Sequence, residues 1–321
     1  MKAIVYDQSS AGGLKCEEIE KPFPKDDEVL IKVVAASVNP LDCHLVKHPL
    51  LRRVLSKLGT IKSPGPGRDV AGIVEAVGGN TADFKTGDAV FGCCGGAFAE
   101  YARASESKLA MKPADISFEQ AAALPIAGVS ALQGLRDKAQ IQPGQKILIN
   151  GAAGGVGTFA VQVGKSLGAD VTGVCSTRNL DMLRSIGADH VIDYTQQDFT
   201  QTGEHYDFLL DLVSNQPYSA IRRVLTPNGI YIGAGALGLS SMFGILTRKT
   251  SELVSALFTS QRFMSFTAKL TGEDLAILGE MVVAGKVKPV IDRRYNLSEA
   301  LDAVQYVEKG HAQGKVVISV A

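Results

Sequence analysis

Apolar and polar positions follow two different rhythms along the chain. In residues 1–124 the apolar residues come in short runs, at 29–33, 70–77 and 88–92, punctuated by glycine and proline as in Pro64-Gly65-Pro66-Gly67. Runs of that kind read as strands, and a set of them packs most simply as a compact β-barrel-like domain. From Ala121 the rhythm changes. Ala121, Ala122, Ala123 and Leu124 precede Pro125, and 129–135 has helical spacing, so a domain junction is expected at 124/125. Apolar runs at 146–150, 170–175, 190–193, 206–212 and 229–233 then alternate with helix-like segments. That alternation predicts a doubly wound parallel sheet, so the chain as a whole reads as α/β. Farther on, Leu275, Leu278, Met281 and Val282 share one side of a helix over 273–285. The run 314–318 reads as a terminal strand that rejoins the first domain. The stretch 239–264 is apolar with few charges; ordinary packing is the first expectation, a lid or a partner-facing surface the next, and a membrane-touching helix the remaining alternative.

The segment 146–179 organises the second domain. The strand-like Ile147-Leu148-Ile149 ends at Asn150, and Gly151-Ala152-Ala153-Gly154-Gly155-Val156-Gly157 follows. Val156, Phe159, Ala160, Val163 and Leu167 then recur at helical spacing, before a second apolar run at 171–175. Strand, glycine turn, helix and strand make up a βαβ unit of about 30 residues. Its glycines point to a dinucleotide. Gly154 lets the backbone approach a pyrophosphate, Gly157 lets the helix pack on the strand, and the helix N-terminus offers N–H groups to the phosphates. Ala153, Gly154, Gly155, Val156 and Gly157 are therefore candidate cofactor contacts. Ala152 stands where the usual motif has its first glycine.

The end of the second strand bears on which dinucleotide. An acidic residue there suits the ribose 2′-hydroxyl of NAD(H). This chain has Cys175-Ser176-Thr177-Arg178-Asn179 instead. Ser176 and Thr177 can donate to a 2′-phosphate and Arg178 can pair with it, which favours NADP(H); otherwise Arg178 is a solvated surface residue.

Composition narrows the function classes. The chain has 321 residues, 45% of them hydrophobic and 21% charged, with a formal net charge of +0. That balance offers no long-range attraction to nucleic acid or to an anionic membrane. The start, MKAIVYD, is already strand-like and carries no signal-peptide pattern, and no apolar run is long enough to span a bilayer. Five cysteines without a C-x-x-C spacing fit a reduced, cytoplasmic setting. Cys93-Cys94 reads as small side chains in a tight loop or as a reactive pair.

Several segments together resemble one family. They are Ser37-Val38-Asn39-Pro40-Leu41-Asp42, Gly67-Arg68-Asp69-Val70-Ala71-Gly72, Gly96-Ala97-Phe98-Ala99-Glu100-Tyr101, Ala123-Leu124-Pro125, the glycine turn, Gly187-Ala188-Asp189 and Gly310-His311-Ala312-Gln313-Gly314-Lys315. With them nearly the whole chain resembles the zinc-independent quinone oxidoreductases of the medium-chain dehydrogenase/reductase superfamily. The resemblance implies a GroES-like barrel domain, 1–124 completed by 265–321, and a Rossmann NADP(H)-binding domain, 125–264. It also implies a homodimer through the Rossmann sheet edge.

Zinc alcohol dehydrogenases of that superfamily bind their catalytic metal with Cys, His and Cys. The matching positions here are Asn39, Arg68 and Ile126. An isoleucine cannot ligate and an arginine repels the ion, so no zinc is expected. Without a Lewis acid an alkoxide has no stabiliser, whereas a quinone or an α,β-unsaturated carbonyl delocalises the incoming charge. The expected activity is therefore NADPH-dependent reduction of such small-molecule acceptors. The alternatives are a zinc-dependent alcohol dehydrogenase and a non-catalytic NADPH-binding protein. Asn39 is the candidate donor to the substrate carbonyl. Asp42 orients its loop or caps the helix after Pro40. By resemblance Ser130 lies near the nicotinamide ribose, Tyr194 near the adenosine phosphate and Lys315 near the pyrophosphate. For Tyr194 and Lys315, surface packing is the competing reading. Cys43-His44 stands where relatives carry a tyrosine, which leaves the proton donor open.

Overall fold

The computed structural model describes residues 1–7, 13–57, 65–233 and 260–320. Two compact units are present: Met1–Val129 with Lys269–Gly285 and Pro289–Ala321, and Ser130–Ala268 with Lys286–Lys288. Most of the apolar stretch at 239–264 lies outside the described residues. Among those described, no helix is long and apolar enough to cross a membrane.

The first unit begins with strands β1 (Lys2–Tyr6), β2 (Leu14–Glu18), β3 (Glu28–Val38), β4 (Asp69–Val77), β5 (Ala89–Cys93), β6 (Tyr101–Ser105) and β7 (Leu109–Met111). The second unit contains β8 (Lys146–Asn150), β9 (Asp170–Cys175), β10 (His190–Asp193), β11 (Tyr206–Asp211), β12 (Leu225–Gly233) and β13 (Arg262–Ser265). Strands β14 (Ile291–Asn296) and β15 (Lys315–Ser319) belong again to the first unit.

In the first unit the sheet order is β14-β15-β3-β4-β5-β7. The long β3 gives one edge to β4 and shares the other. Its residues 28–32 pair with β6, and its residues 35–38 pair with β15. The C-terminal strand thus rejoins the first domain, as its pattern predicts. It does so because Val316, Val317 and Ile318 are apolar, and the first and last of these enter the core with Ile31, Val70, Val90 and Phe98. Helices α1 (Pro40–Lys47) and α2 (Pro49–Lys57) follow β3; α3 (Phe118–Ala123) and α4 (Pro125–Gln133) follow β7. Pro125 sits at the start of α4, where a missing N–H costs nothing and the ring sets φ for the helix. The chain passes between units inside α4, at Val129/Ser130.

In the second unit the strands are all parallel and run β10-β9-β8-β11-β12-β13. Residues 147–150 of β8 and 171–175 of β9 are buried on both faces, which is why those strands read as unbroken apolar runs rather than as alternating ones. The order reverses direction between β8 and β11. Ligands of such sheets bind outside the carboxyl ends of the strands at that reversal.

Candidate active site

The candidate cofactor cradle contains three glycines whose surroundings differ. Gly151, directly after β8, has φ +85°, a conformation open to glycine. Gly157 lies in helix α5 (Gly155–Ser166), where a Cβ would stand 2.3 Å from the Gly151 oxygen. Only glycine lets the helix sit that close. Gly154 differs: a Cβ there would meet only the Gly151 oxygen, at 3.5 Å. Internal packing does not demand its missing side chain, so the demand comes from outside. Gly154 is also the N-cap of α5 and supplies no side-chain cap, leaving that end to an external acceptor. A bare backbone face before an uncapped helix N-terminus fits a pyrophosphate. The replaced glycine is explained as well. The Ala152 methyl would lie 3.1 Å from a Cβ on residue 173, and residue 173 is glycine. Ala153 is buried beside it, while Gly155 and Val156 are half-buried on the first turn.

A second corner forms where β9 and β10 end side by side, with Cys175 opposite Asp193. The Tyr194 N–H donates to the Cys175 oxygen at 3.0 Å and fixes Tyr194, 58% exposed, next to Ser176. Ser176 accepts from Asn179 Nδ2 at 3.1 Å, and exposed Arg178 lies in the same turn. The structure thus brings Ser176, Arg178 and Tyr194 to one place. It commits Thr177 elsewhere: that hydroxyl donates to Asp193, whose other oxygen accepts from Thr195. The Thr177 hydrogen bond holds the Asp193 carboxyl below its usual range, so a negative charge stands on this corner opposing Arg178. Ser130 is half-buried in α4, in the same unit.

At the strand-order reversal the structure adds residues that sequence reasoning missed. Asn150 and Asp211 close β8 and β11 in register, and Asn150 Nδ2 donates to Asp211 Oδ1 at 2.9 Å. Asp211 is fully buried and also accepts from Tyr231 and from the N–H groups of Val213 and Ser214. It therefore shapes the turn at the mouth of the sheet, with Ser214 at φ +60°. The available signal was two polar residues closing adjacent apolar runs.

In the first unit Asn39 follows β3 directly and is the N-cap of α1. Its extended backbone and Pro40 at the first helical position start the helix. Asp42 accepts from the Asn39 N–H at 2.9 Å and, across the fold, from Gly67 N–H at 3.1 Å. It therefore both closes the helix start and ties α1 to the loop before β4. Burial pushes its carboxyl up to about 6, against the two N–H bonds that favour the charge.

The Asn39 amide is held by a buried ionic cluster. Its Nδ2 donates to Asp69 Oδ2 at 2.9 Å and its Oδ1 accepts from Lys315 Nζ at 2.8 Å. Lys315 and Asp69 are 3% and 0% exposed. The ammonium also donates to Asp69 Oδ2 at 3.2 Å and to the Val38 oxygen at 3.3 Å, so all three of its hydrogens have acceptors within this unit. Ser37 and the Ile126 N–H complete the shell around Asp69. Beside this cluster a cavity of about 760 Å³ opens, lined by Tyr6, Asp42, Gly67, Arg68, Cys93 and Cys94 among others. Its size suits a small organic acceptor.

Residues 25–114 match the family model described as alcohol dehydrogenase GroES-like domain, and residues 186–318 the one described as zinc-binding dehydrogenase. The chloroplastic quinone-oxidoreductase QR1 of Triphysaria versicolor is 35% identical, covering 99% of this chain and 98% of its own. The chloroplastic NADPH-dependent alkenal/one oxidoreductase of Arabidopsis thaliana is 34% identical over 99% of this chain and 79% of its own. The solved quinone oxidoreductase from Coxiella burnetii matches with a TM-score of 0.87 and 31% identity, covering 100% of this chain and 99% of that one. The chain belongs to the quinone oxidoreductase family of the medium-chain dehydrogenases/reductases.

Within that superfamily the metal question falls on three positions. Asn39 and the Ile126 backbone meet on Asp69, the residue after Arg68, and the cation at their meeting point is the Lys315 ammonium. Zinc does not fit this donor set. It would face an ammonium at contact distance, with an amide, a backbone N–H and a guanidinium where two thiolates and an imidazole are needed. Among the described residues, no group of three or more His, Cys, Asp or Glu side chains is placed to hold a metal ion.

Proposed function

We propose that this quinone oxidoreductase family member reduces quinones and α,β-unsaturated carbonyl compounds with NADPH, by hydride transfer without zinc. The observation that carries the reading is the buried Lys315–Asp69 pair, which holds an ammonium against Asn39, one of the three positions that match the superfamily's metal ligands. A site of that kind suits acceptors that spread the incoming charge over a conjugated system. The kinship with a quinone-oxidoreductase and an NADPH-dependent alkenal/one oxidoreductase supports the same acceptor classes and coenzyme.

NADPH, when bound, supplies the hydride from its dihydronicotinamide ring. The chain's own residues bind and orient. The bare backbone at Gly154 and the N–H groups of Gly155, Val156 and Gly157 receive the pyrophosphate, with Ala153 behind them. Ser176, Arg178 and Tyr194 receive the adenosine phosphate, and Ser130 the nicotinamide ribose. Asn39 donates its remaining Nδ2 hydrogen to the acceptor. Lys315 acts through Asn39: its ammonium holds the amide oxygen and polarises the N–H that donates. Asp42 keeps α1, and so Asn39, in register with Gly67.

Stopped-flow oxidation of NADPH against a panel of quinones and enones tests the reading. Turnover of at least one class is expected, and binding of NADPH with no turnover of either would overturn it in favour of a non-catalytic binding protein. We further propose a homodimer through the edge strand β13 and a cytoplasmic, reducing location, supported by five cysteines that are all free. A monomeric mass in sedimentation would sink the first, and a secreted fraction in the source cells the second.

A further inference from the structure

Two side-chain donors line the first-unit cavity, Tyr6 and Arg68. Among the described residues, neither the Tyr6 hydroxyl nor the Arg68 guanidinium makes a hydrogen bond, although both line the cavity. Their placement is built. Tyr6 follows Ile4 on the same face of β1, and Ile4 lies in the core. Gly65 is pressed against the Ile4 oxygen, where a Cβ would stand only 2.0 Å away. Gly67, at φ +96°, turns the next residues so that its own N–H reaches Asp42 and Arg68 enters the cavity wall. Arg52 covers the Tyr6 ring, its guanidinium 4.1 Å from the centroid, and fixes the ring from behind. Burial pushes the Tyr6 phenol well above its ordinary range, so the hydroxyl stays protonated. The opposing charge is Asp42, whose two oxygens already accept N–H bonds from Asn39 and Gly67.

We propose that the Arg68 guanidinium and the Tyr6 hydroxyl join the Asn39 amide as donors to the carbonyl oxygen of the conjugated acceptor and complete its oxyanion site. The inference rests on the reductase reading. In that reaction hydride adds to the far carbon of the enone, the C=C π pair shifts to form a new double bond to the carbonyl carbon, and the C=O π pair comes to rest on the oxygen as an enolate. A proton from water then gives the saturated carbonyl. The charge that develops lies mostly on the oxygen, so donors fixed there act on the transition state more than on the ground state. Arg68 thereby stands at one metal-ligand position and does by hydrogen bonding what a Lewis acid does elsewhere.

The test uses para-nitrophenol, a stable anion whose ionisation is visible, bound to the full chain saturated with NADP⁺. The wild type should lower the ionisation midpoint of the bound probe by about one pH unit. Arg68→Gln should abolish the shift, Tyr6→Phe should roughly halve it, and Arg68→Lys should retain part of it. Tyr6→Phe keeps the ring beneath Arg52, so a purely structural role would leave the probe unmoved. Enone turnover by Arg68→Gln should fall about a hundredfold in kcat with NADPH affinity unchanged. If Arg68→Gln does not fold, the other two variants carry the same titration. A wild-type protein that fails to bind the probe, or binds it at its solution midpoint, overturns the proposal, as do variants that titrate it like wild type. A shifted probe without turnover of any quinone or enone would instead remove the reductase reading and leave the anion site standing.

Discussion

Lys315 is a residue whose meaning depended on the fold. In the sequence it is a lysine in the tail, open to a phosphate or to solvent. In the structure it stands 276 residues from Asn39 along the chain and 2.8 Å from it in space. No local pattern announces such a pair, because β15 reaches Asn39 only through its pairing with β3. A buried ion pair is a weak source of net stability, but half of one is strongly destabilising. Lys315→Met should therefore cost about 3–5 kcal/mol in urea unfolding, by leaving buried Asp69 without its cation. The double variant Lys315→Met, Asp69→Asn should recover a good part of that loss. Equal losses in single and double variants would show that the pair is not what the substitution breaks. Arg178 is the opposite case, since its proposed role as a phosphate partner is read from the local turn after β9 alone. Arg178→Ala should weaken NADPH by about 1–3 kcal/mol while leaving NADH nearly unchanged, as read by calorimetry. Asp193→Asn should tighten NADPH, since it removes the charge that opposes the phosphate. Equal weakening of both coenzymes by Arg178→Ala would separate that residue from the 2′-phosphate.

At the scale of elements, legibility followed the source of each element's stability. Strands β8 and β9 lie where their apolar runs predicted, because parallel interior strands are selected for unbroken burial, and β10 lies at its predicted place on the sheet edge. β12 begins at Leu225, four residues before its apolar run, in the segment Thr226-Pro227-Asn228-Gly229 that reads as a turn. The cause is remote. Gln261 Nε2 lies within hydrogen-bond reach of the carbonyls of Arg222, Leu225 and Thr226, and Leu225 pairs with Tyr206 through a register shift. The glycine turn shows both kinds of constraint within seven residues, and two substitutions separate them. Gly157→Ala forces a methyl into backbone atoms and should destabilise the second unit by about 1–3 kcal/mol or more. Gly154 has φ −81° and ψ 180°, an extended conformation that alanine adopts freely, with no crowding from the chain. Gly154→Ala should therefore fold with near-normal thermal stability and bind NADPH at least tenfold more weakly. Loss of stability at residue 154, with coenzyme binding intact in whatever folds, would remove the cradle argument.

Over the whole molecule, thiol chemistry offers a check that spans both units. An enzyme for enones and quinones handles soft electrophiles that alkylate thiolates, so its own cysteines are at risk wherever they ionise. Four of the five are buried: Cys43, Cys93 and Cys94 in the first unit and Cys175 in the second. Burial pushes the Cys43 and Cys93 thiols up to about 12, Cys175 up to about 11, and Cys94 well above its ordinary range. Thiols held that high are almost wholly protonated at neutral pH, which makes poor nucleophiles of Cys93 and Cys94 even though they line the acceptor cavity. The adjacent pair is thus a wall of the cavity rather than a reactive centre. Cys16 alone is exposed, on β2. N-ethylmaleimide at pH 7 should accordingly label Cys16 within minutes and the other four only as the protein opens, at a rate that rises with urea. Saturating NADPH should slow the labelling of Cys175 further, because a coenzyme that binds only the native second unit makes its opening rarer. Peptide mapping by mass spectrometry separates the five sites. Fast labelling of Cys93 or Cys94 in the native protein would mean that the cavity carries a thiolate, and an electrophilic acceptor entering it would then inactivate the enzyme rather than be reduced.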